Sequence, residues 1–215
     1  MVLKGKRVKN IRTLAEDLKN GAVLIYPTDT FYALGGNALS KEVLDRVYDL
    51  KERQDDKSLP MIAYSNCMAL SMFAYKTESL FRLSSHFWPG PLTLVSKASK
   101  LLPNFVKSKN LTLAIRVPAN LVARGLSRYA GLPLVSTSAN LSGHPPCMCL
   151  RDIPEELLRN VDYAIDGGLL EKKAPSTIVE ISGMDATVLR LGAVSVNALR
   201  QFIPSLLVEC KAKKR

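Results

Sequence analysis

Short apolar runs alternate with amphipathic segments along most of this chain, and that alternation predicts one α/β domain built on a mixed sheet with flanking helices. About seven strands interleave with about six helices, too many crossings for an all-β sandwich or a bundle. No internal repeat, low-complexity block or Pro-, Gly- or Ser-rich linker divides the sequence. Residues 1–205 therefore read as a single domain and 206–215 as a basic tail.

Ile11, Leu14, Ala15 and Leu18 recur at helical spacing within NIRTLAEDLKN, and Gly21 supplies a stop. A strand follows at 22–26, and the stretch LIYPTDTFYALGG from Leu24 to Gly36 carries it into Thr28, Asp29 and Thr30, with Gly35 and Gly36 read as a turn. Ser40 caps a helix whose apolar face is Val43, Leu44, Val47 and Tyr48, and its end delivers Lys51 and Arg53 on a solvated terminus. Leu59–Tyr64 reads as a buried strand, 68–73 as a helix, and Thr77 caps a further helix that Pro89-Gly90-Pro91 ends. Strands are expected at 92–96 and 111–117, the second with Arg116 at its mouth before Pro118. An amphipathic helix over 120–129 leads to a strand at 133–136 that runs into Thr137-Ser138-Ala139-Asn140. Pro154 opens a helix through Leu158, strands follow at 161–165, 177–181 and 187–191, and a helix over about 195–202 closes the order.

The 215 residues carry 30 Lys and Arg against 19 Asp and Glu, a formal charge of +11 that favours acidic partners such as nucleotides or RNA. Part of that charge is terminal: Lys4, Lys6, Arg7 and Lys9 at one end, Lys211, Lys213, Lys214 and Arg215 at the other, both expected to be solvated. No apolar run is long enough for a membrane span, and MVLKGKRVKN lacks the apolar block of a signal peptide, so a cytoplasmic location is expected. Four cysteines at irregular spacing make no disulfide framework, and His144 with Cys147 and Cys149 lacks the second ligand pair of a zinc site.

Neither GxxxxGK[ST] nor GxGxxG occurs, so a nucleotide would have to bind by another route. With two histidines, His86 and His144, no Ser-His-Asp arrangement is credible, and no paired-carboxylate signature appears. Polar groups gather instead at strand ends: Thr28 and Thr30, Lys51 and Arg53, Arg116, Ser136 to Asn140, Ser176 and Thr177, Arg190. Lys51, Arg53 and Lys57 concentrate cations as a polyphosphate requires, or form a solvated helix end favoured by its own dipole. Thr28–Thr30 at a strand end suit a ligand crevice or ordinary Asx and ST turns, and the STSAN loop suits close approach to a phosphate or a common turn. Arg116, leaving an apolar strand, suits bidentate capture of a carboxylate or a structural salt bridge.

The segments YPTDTFYALG, KERQDDKSL, PGPLTLV, AIRVP, STSANLSG, STIVEI and VLRLGAVS, in this order, resemble the YrdC-like family of threonylcarbamoyl-AMP synthases. The resemblance implies a twisted open sheet around a large, basic, concave cavity. It implies conversion of L-threonine, bicarbonate and ATP, with Mg²⁺, to threonylcarbamoyl-adenylate and pyrophosphate, for N6-threonylcarbamoyl modification of adenosine 37 in tRNA. It assigns Thr30 and Arg116 to threonine, Lys51 and Arg53 to the nucleotide phosphates and the catalytic step, and Lys57, Ser138, Asn140 and Arg190 to ATP. Ser138 and Asn140 would flank the Mg²⁺ carried by the phosphates, and Tyr26, Phe31, Tyr32 and Leu34 would wall the cavity. Gln54, Ala33 and the run His144-Pro145-Pro146 depart from the family pattern. The shorter branch to which such a chain is assigned includes ATP- or RNA-binding paralogues, which stand as the alternative. Partners implied are the proteins that transfer the threonylcarbamoyl group, with contact between tRNA and the basic surface left open; no membrane partner is implied.

Overall fold

The computed structural model describes residues 11–52, 59–171 and 174–209. A 3-10 turn at Ile11–Thr13 runs into α1 (Leu14–Lys19), after which β1 (Val23–Pro27) and β2 (Tyr32–Gly36) form a hairpin. Then come α2 (Lys41–Leu50), β3 (Met61–Ile62), α3 (Asn66–Ser71), α4 (Glu78–Phe87), β4 (Leu92–Lys97), β5 (Thr112–Arg116) and α5 (Leu121–Ala130). The remainder is β6 (Leu134–Val135), β7 (Thr137–Ser138), α6 (Glu155–Asn160), β8 (Tyr163–Ala164), β9 (Thr177–Ser182), β10 (Asp185–Arg190), α7 (Val196–Arg200) and β11 (Leu207–Val208).

The fold is mixed α/β, and its strands form two open sheets where the sequence suggested one. The smaller has the order β7-β2-β1-β8, the larger β11-β10-β9-β4-β5-β3-β6. The split occurs at Ser136: Leu134 and Val135 pair with β3, whereas Thr137 and Ser138 pair with β2. One continuous run, LVSTS, thus serves both sheets, which apolar patterning alone does not reveal.

Gly35 and Gly36, expected in a turn, lie inside β2, paired with Leu24 and Val23. Their physical role is close approach: a Cβ on Gly35 would fall 1.8 Å from the Val135 carbonyl oxygen, and one on Gly36 2.4 Å from that of Ala22. β11 pairs in parallel with β10, so the larger sheet continues into the segment read as tail. Arg53, Gln54, Lys57 and the basic residues at both ends lie outside the described residues.

Local chemistry fixes the helices. Ser40 Oγ accepts from Val43 N, Thr77 Oγ1 from Leu80 N, and Asn120 Oδ1 from both Val122 N and Ala123 N, satisfying amides that a helix start leaves unpaired. Gly131 ends α5 at φ 72°, a conformation that costs glycine nothing. β1 reads as an unbroken apolar run because both of its faces are buried: Val23 and Ile25 join the larger core, while Leu24 and Tyr26 join a second core with Leu14, Leu18, Ala123 and Leu126 of α1 and α5. No helix among the described residues is long and apolar enough to cross a membrane.

Candidate functional site

A cavity of about 700 Å³ opens where the β1–β2 turn, the β6–β7 run and the ends of β5 and β10 converge. Thr28, Thr30, Arg116, Ser138, Asn140 and Arg190 all contribute to its wall. Six residues from four stretches far apart in sequence therefore meet at one place, because the strand ends of the two sheets face a common crevice.

The turn geometry divides the threonines. Thr28 Oγ1 donates to the Phe31 carbonyl at 2.7 Å and accepts from Thr30 N and Phe31 N, so Thr28 is the ST turn that its composition suggested. Thr30 Oγ1 is left to meet Thr28 Oγ1 at 3.1 Å and accept from Arg116 Nη2 at 3.2 Å. Arg116 Nη1 donates to Asp29 Oδ1 at 2.6 Å, an ion pair whose side chains are only 8% and 10% exposed. The salt-bridge reading of Arg116 holds, and the side chain also lines the cavity. A guanidinium has five N–H donors, so this pairing leaves donors for a ligand. The other Asp29 oxygen, Oδ2, is buried without a hydrogen-bond partner, so the pair is incompletely compensated.

Arg190 approaches from β10, donating to the Ser176 carbonyl at 2.8 Å and to Ser176 Oγ at 3.2 Å. Burial, with a smaller contribution from the nearby Arg116 charge, holds its guanidinium below the ordinary arginine value. Two arginines thus line one crevice, Arg116 paired with Asp29 and Arg190 with no carboxylate partner among the described residues. Ser176 Oγ also meets Thr93 Oγ1 at 2.9 Å, extending the polar wall along β4.

The Lys51 position corrects the sequence reading. Instead of a solvated helix end, Lys51 is 4% exposed, and it does not line the cavity. Its ammonium donates to the Ser138 carbonyl at 2.7 Å, to the Asn140 carbonyl, and to Asn140 Oδ1 at 3.3 Å. Asn140 Nδ2 donates to the Leu141 and His144 carbonyls, and Ser142 Oγ donates to the Lys51 carbonyl. Lys51, Ser138 and Asn140 are brought together as expected, in a knot that fixes the 138–144 loop beside the cavity. Arg53 and Lys57 lie outside the described residues.

The aromatic wall is half as extensive as expected: Phe31 and Tyr32 line the cavity, whereas Tyr26 and Leu34 point into the two cores. Tyr26 donates to the Val135 carbonyl at 2.7 Å, and burial pushes its phenol well above the ordinary value. Tyr32 donates to the Gly168 carbonyl and accepts from Gly167 N, tying β2 to the loop after β8. Sequence reasoning missed Asp29 as the partner of Arg116, and Thr93, whose signal is a hydroxyl inside a buried strand. Among the described residues no group of three His, Cys, Asp or Glu could hold a metal ion; Cys147 and Cys149 are buried thiols, and His144 lines the cavity.

Comparison with known proteins gives a family match: the Sua5/YciO/YrdC model, described as telomere recombination, matches residues 16–192. A threonylcarbamoyl-AMP synthase of Pyrococcus abyssi is 30% identical over 199 residues, covering 92% of this chain and 58% of the relative. This chain therefore spans little more than half the length of that relative. A threonylcarbamoyl-AMP synthase of Vibrio vulnificus is 32% identical over 174 residues, covering 80% of this chain and 93% of its own. Among solved structures, P. abyssi Sua5 complexed with L-threonine superposes with a TM-score of 0.87 at 28% identity, over 95% of this chain and 61% of that chain. E. coli YciO superposes with a TM-score of 0.78 at 29% identity, over 88% and 92%.

Proposed function

This chain belongs to the Sua5/YciO/YrdC family, and on that premise we propose that it is a threonylcarbamoyl-AMP synthase, joining L-threonine, bicarbonate and ATP into threonylcarbamoyl-adenylate and pyrophosphate for tRNA modification in the cytoplasm. The observation that carries this reading is the buried Arg116 on the cavity wall, hydrogen-bonded to Thr30. A guanidinium beside a hydroxyl matches the carboxylate and side-chain hydroxyl of a small hydroxy amino acid. The names of the synthase relatives and the threonine-bound relative support the same ligand.

Chemically, the threonine amine attacks bicarbonate carbon and water leaves; a carbamate oxygen then attacks the α-phosphorus, and pyrophosphate departs with the bonding electrons. Arg116 holds the threonine carboxylate and Thr30 its hydroxyl. Arg190 meets the phosphates where charge rises, a role the family resemblance also assigns to Arg53 and Lys57. Phe31, Tyr32 and Ile178 keep the wall dry around a hydrolysable anhydride. Lys51 enters this scheme as the residue that holds the Ser138–Asn140 backbone beside the nucleotide. Asn140 Oδ1 accepts from the Lys51 ammonium at 3.3 Å and keeps a second lone pair, so Ser138 and Asn140 would flank a Mg²⁺ carried by the ATP phosphates, where the ion would supply charge neutralisation.

The test is pyrophosphate release that requires threonine and bicarbonate together, with label from bicarbonate appearing in an AMP adduct. Arg116→Ala should raise the KM for threonine more than that for ATP. ATP binding without threonine-dependent release would favour the second reading, a nucleotide- or RNA-binding paralogue, which the likeness to the E. coli protein named uncharacterized YciO keeps in view.

A further inference from the structure

The outer face of α5 carries a second recess, of about 760 Å³, whose lining shares no residue with the cavity described above. Ala123, Leu126 and Ala130 turn the opposite face of α5 into the second core. The recess lies between α5, the 3-10 turn at Ile11, and Tyr64 and Met68 beyond β3. Ile11 packs over Gly125, where a Cβ would fall 2.5 Å from the mobile end of its side chain, Cδ1.

The charge here is unlike that of α2, α4 and α6. Lys41, Arg82 and Arg159 each meet a carboxylate one turn away on their own helix. α5, LVARGLSRYA, contains no acidic residue, and among the described residues its Arg124 and Arg128 form no ion pair. Like charges one turn apart repel and weaken a helix, so this arrangement asks for an anion. Beside them Tyr129 stays 37% exposed, with the Arg12 guanidinium 4.9 Å from its ring centre. Among the described residues no acidic side chain lines the recess.

We propose that this recess binds an unpaired segment of RNA, with Arg124 and Arg128 on successive phosphates and a base stacked against the Tyr129–Arg12 layer. An acidic peptide would satisfy the arginines and leave the ring unused. A-form duplex hides its base faces, whereas loops and bulges of folded RNA splay them out for aromatic and guanidinium planes. A concave recess with polar arms is also a poor match to a flat lipid surface.

The experiment measures binding of the full chain to a fluorescent mixed-sequence single-stranded RNA across salt concentrations. Arg124→Gln with Arg128→Gln should weaken binding at least tenfold at low salt and flatten the log–log salt slope by about 1.4, roughly 0.7 per phosphate contact for single strands. Tyr129→Leu should weaken binding about fivefold or more with the slope unchanged, as loss of stacking predicts. Affinity and slope unchanged in the double variant would overturn the proposal, as would displacement of the RNA by polyglutamate at equal charge. Photocrosslinking of thiouridine-bearing RNA to the unaltered protein needs no variant to fold: label on the α5 peptide is expected, and label confined to the terminal basic segments would refute the site.

Discussion

Replacing Lys51 by Met tests whether the 138–144 loop is held by one buried cation. Methionine keeps most of the stem, so packing changes little, but three acceptors lose the ammonium: the Asn140 carbonyl, Asn140 Oδ1, and the Ser138 carbonyl, which keeps the Asn140 N–H at 3.0 Å. Hydrogen bonds to a charged group contribute about 1.5–3 kcal/mol each, and a buried acceptor left unpaired costs about 1–3 kcal/mol. Removing the ammonium also relieves several kcal/mol of its desolvation, so the net loss is about 3 kcal/mol rather than the sum. In a chain of this size that corresponds to a fall in Tm of about 6–12 °C. A solvated helix end would behave differently, because exposed substitutions stay within about 0.5 kcal/mol. Thermal unfolding without ligand, with urea titration as a second measure, reads the difference directly. A Tm within about 2 °C of wild type, a change of about 0.5–1 kcal/mol by the same scaling, would refute the buried-knot account.

Gly35→Ala should destabilise by at least about 3 kcal/mol, since its Cβ meets a backbone oxygen that cannot rotate away; the check is soluble yield and urea midpoint, and near-native stability would contradict the close sheet contact. Tyr163 donates to Asp17 Oδ2 at 2.6 Å, and that bond, with burial second, pushes its phenol up from 10.0 to about 12. The folded state holds this proton more tightly than the unfolded chain, so its stabilisation is complete below pH 10 and is lost as pH rises towards 12. Tyr163→Phe should lack that part of the alkaline loss, and identical pH profiles for the two proteins would exclude it.

What the sequence made legible was local. Ser40 and Thr77 announce their helices because capping requires only a side chain and an amide three residues on. β1 was visible because burial on both faces leaves an unbroken apolar run. What stayed hidden depended on distant partners. Asp29 reads as a turn residue until β5 brings Arg116 to it from 87 positions away. Lys51 reads as solvated because its neighbours in KERQDDK are charged, while its acceptors lie 87 and 89 positions on. Gly35 and Gly36 resemble turn glycines, since sequence cannot distinguish a glycine that needs positive φ from one that needs an empty Cβ. The cavity walls carried a composite signal: hydroxyls and cations recurring at strand ends, uninformative singly, converge because strand ends of an α/β fold converge.

The same geometry makes the site a property of both sheets together. Ser136 separates a strand of the larger sheet from one of the smaller, with its amide donating to the Pro60 carbonyl at 2.8 Å. On one side Val135 accepts from the Tyr26 phenol and abuts Gly35; on the other Ala33 pairs with Ser138, whose carbonyl takes Lys51. Arg116 belongs to the larger sheet, while Asp29 and Thr30 belong to the turn of the smaller. A shift of one sheet against the other would separate the arginine from its carboxylate and hydroxyl and move the 138–144 loop at once. Because a buried charge pair tolerates little displacement, the ion pair couples sheet packing to the shape of the cavity. The second core, lying under α5 and reaching Tyr26, Ala33, Ile62 and Leu134, draws on both sheets and so resists that shift. Small side chains on the inner face of α5, Ala123 and Ala130, hold the helix close to this seam, so packing remote from the cavity helps to set the distance between Arg116 and Thr30.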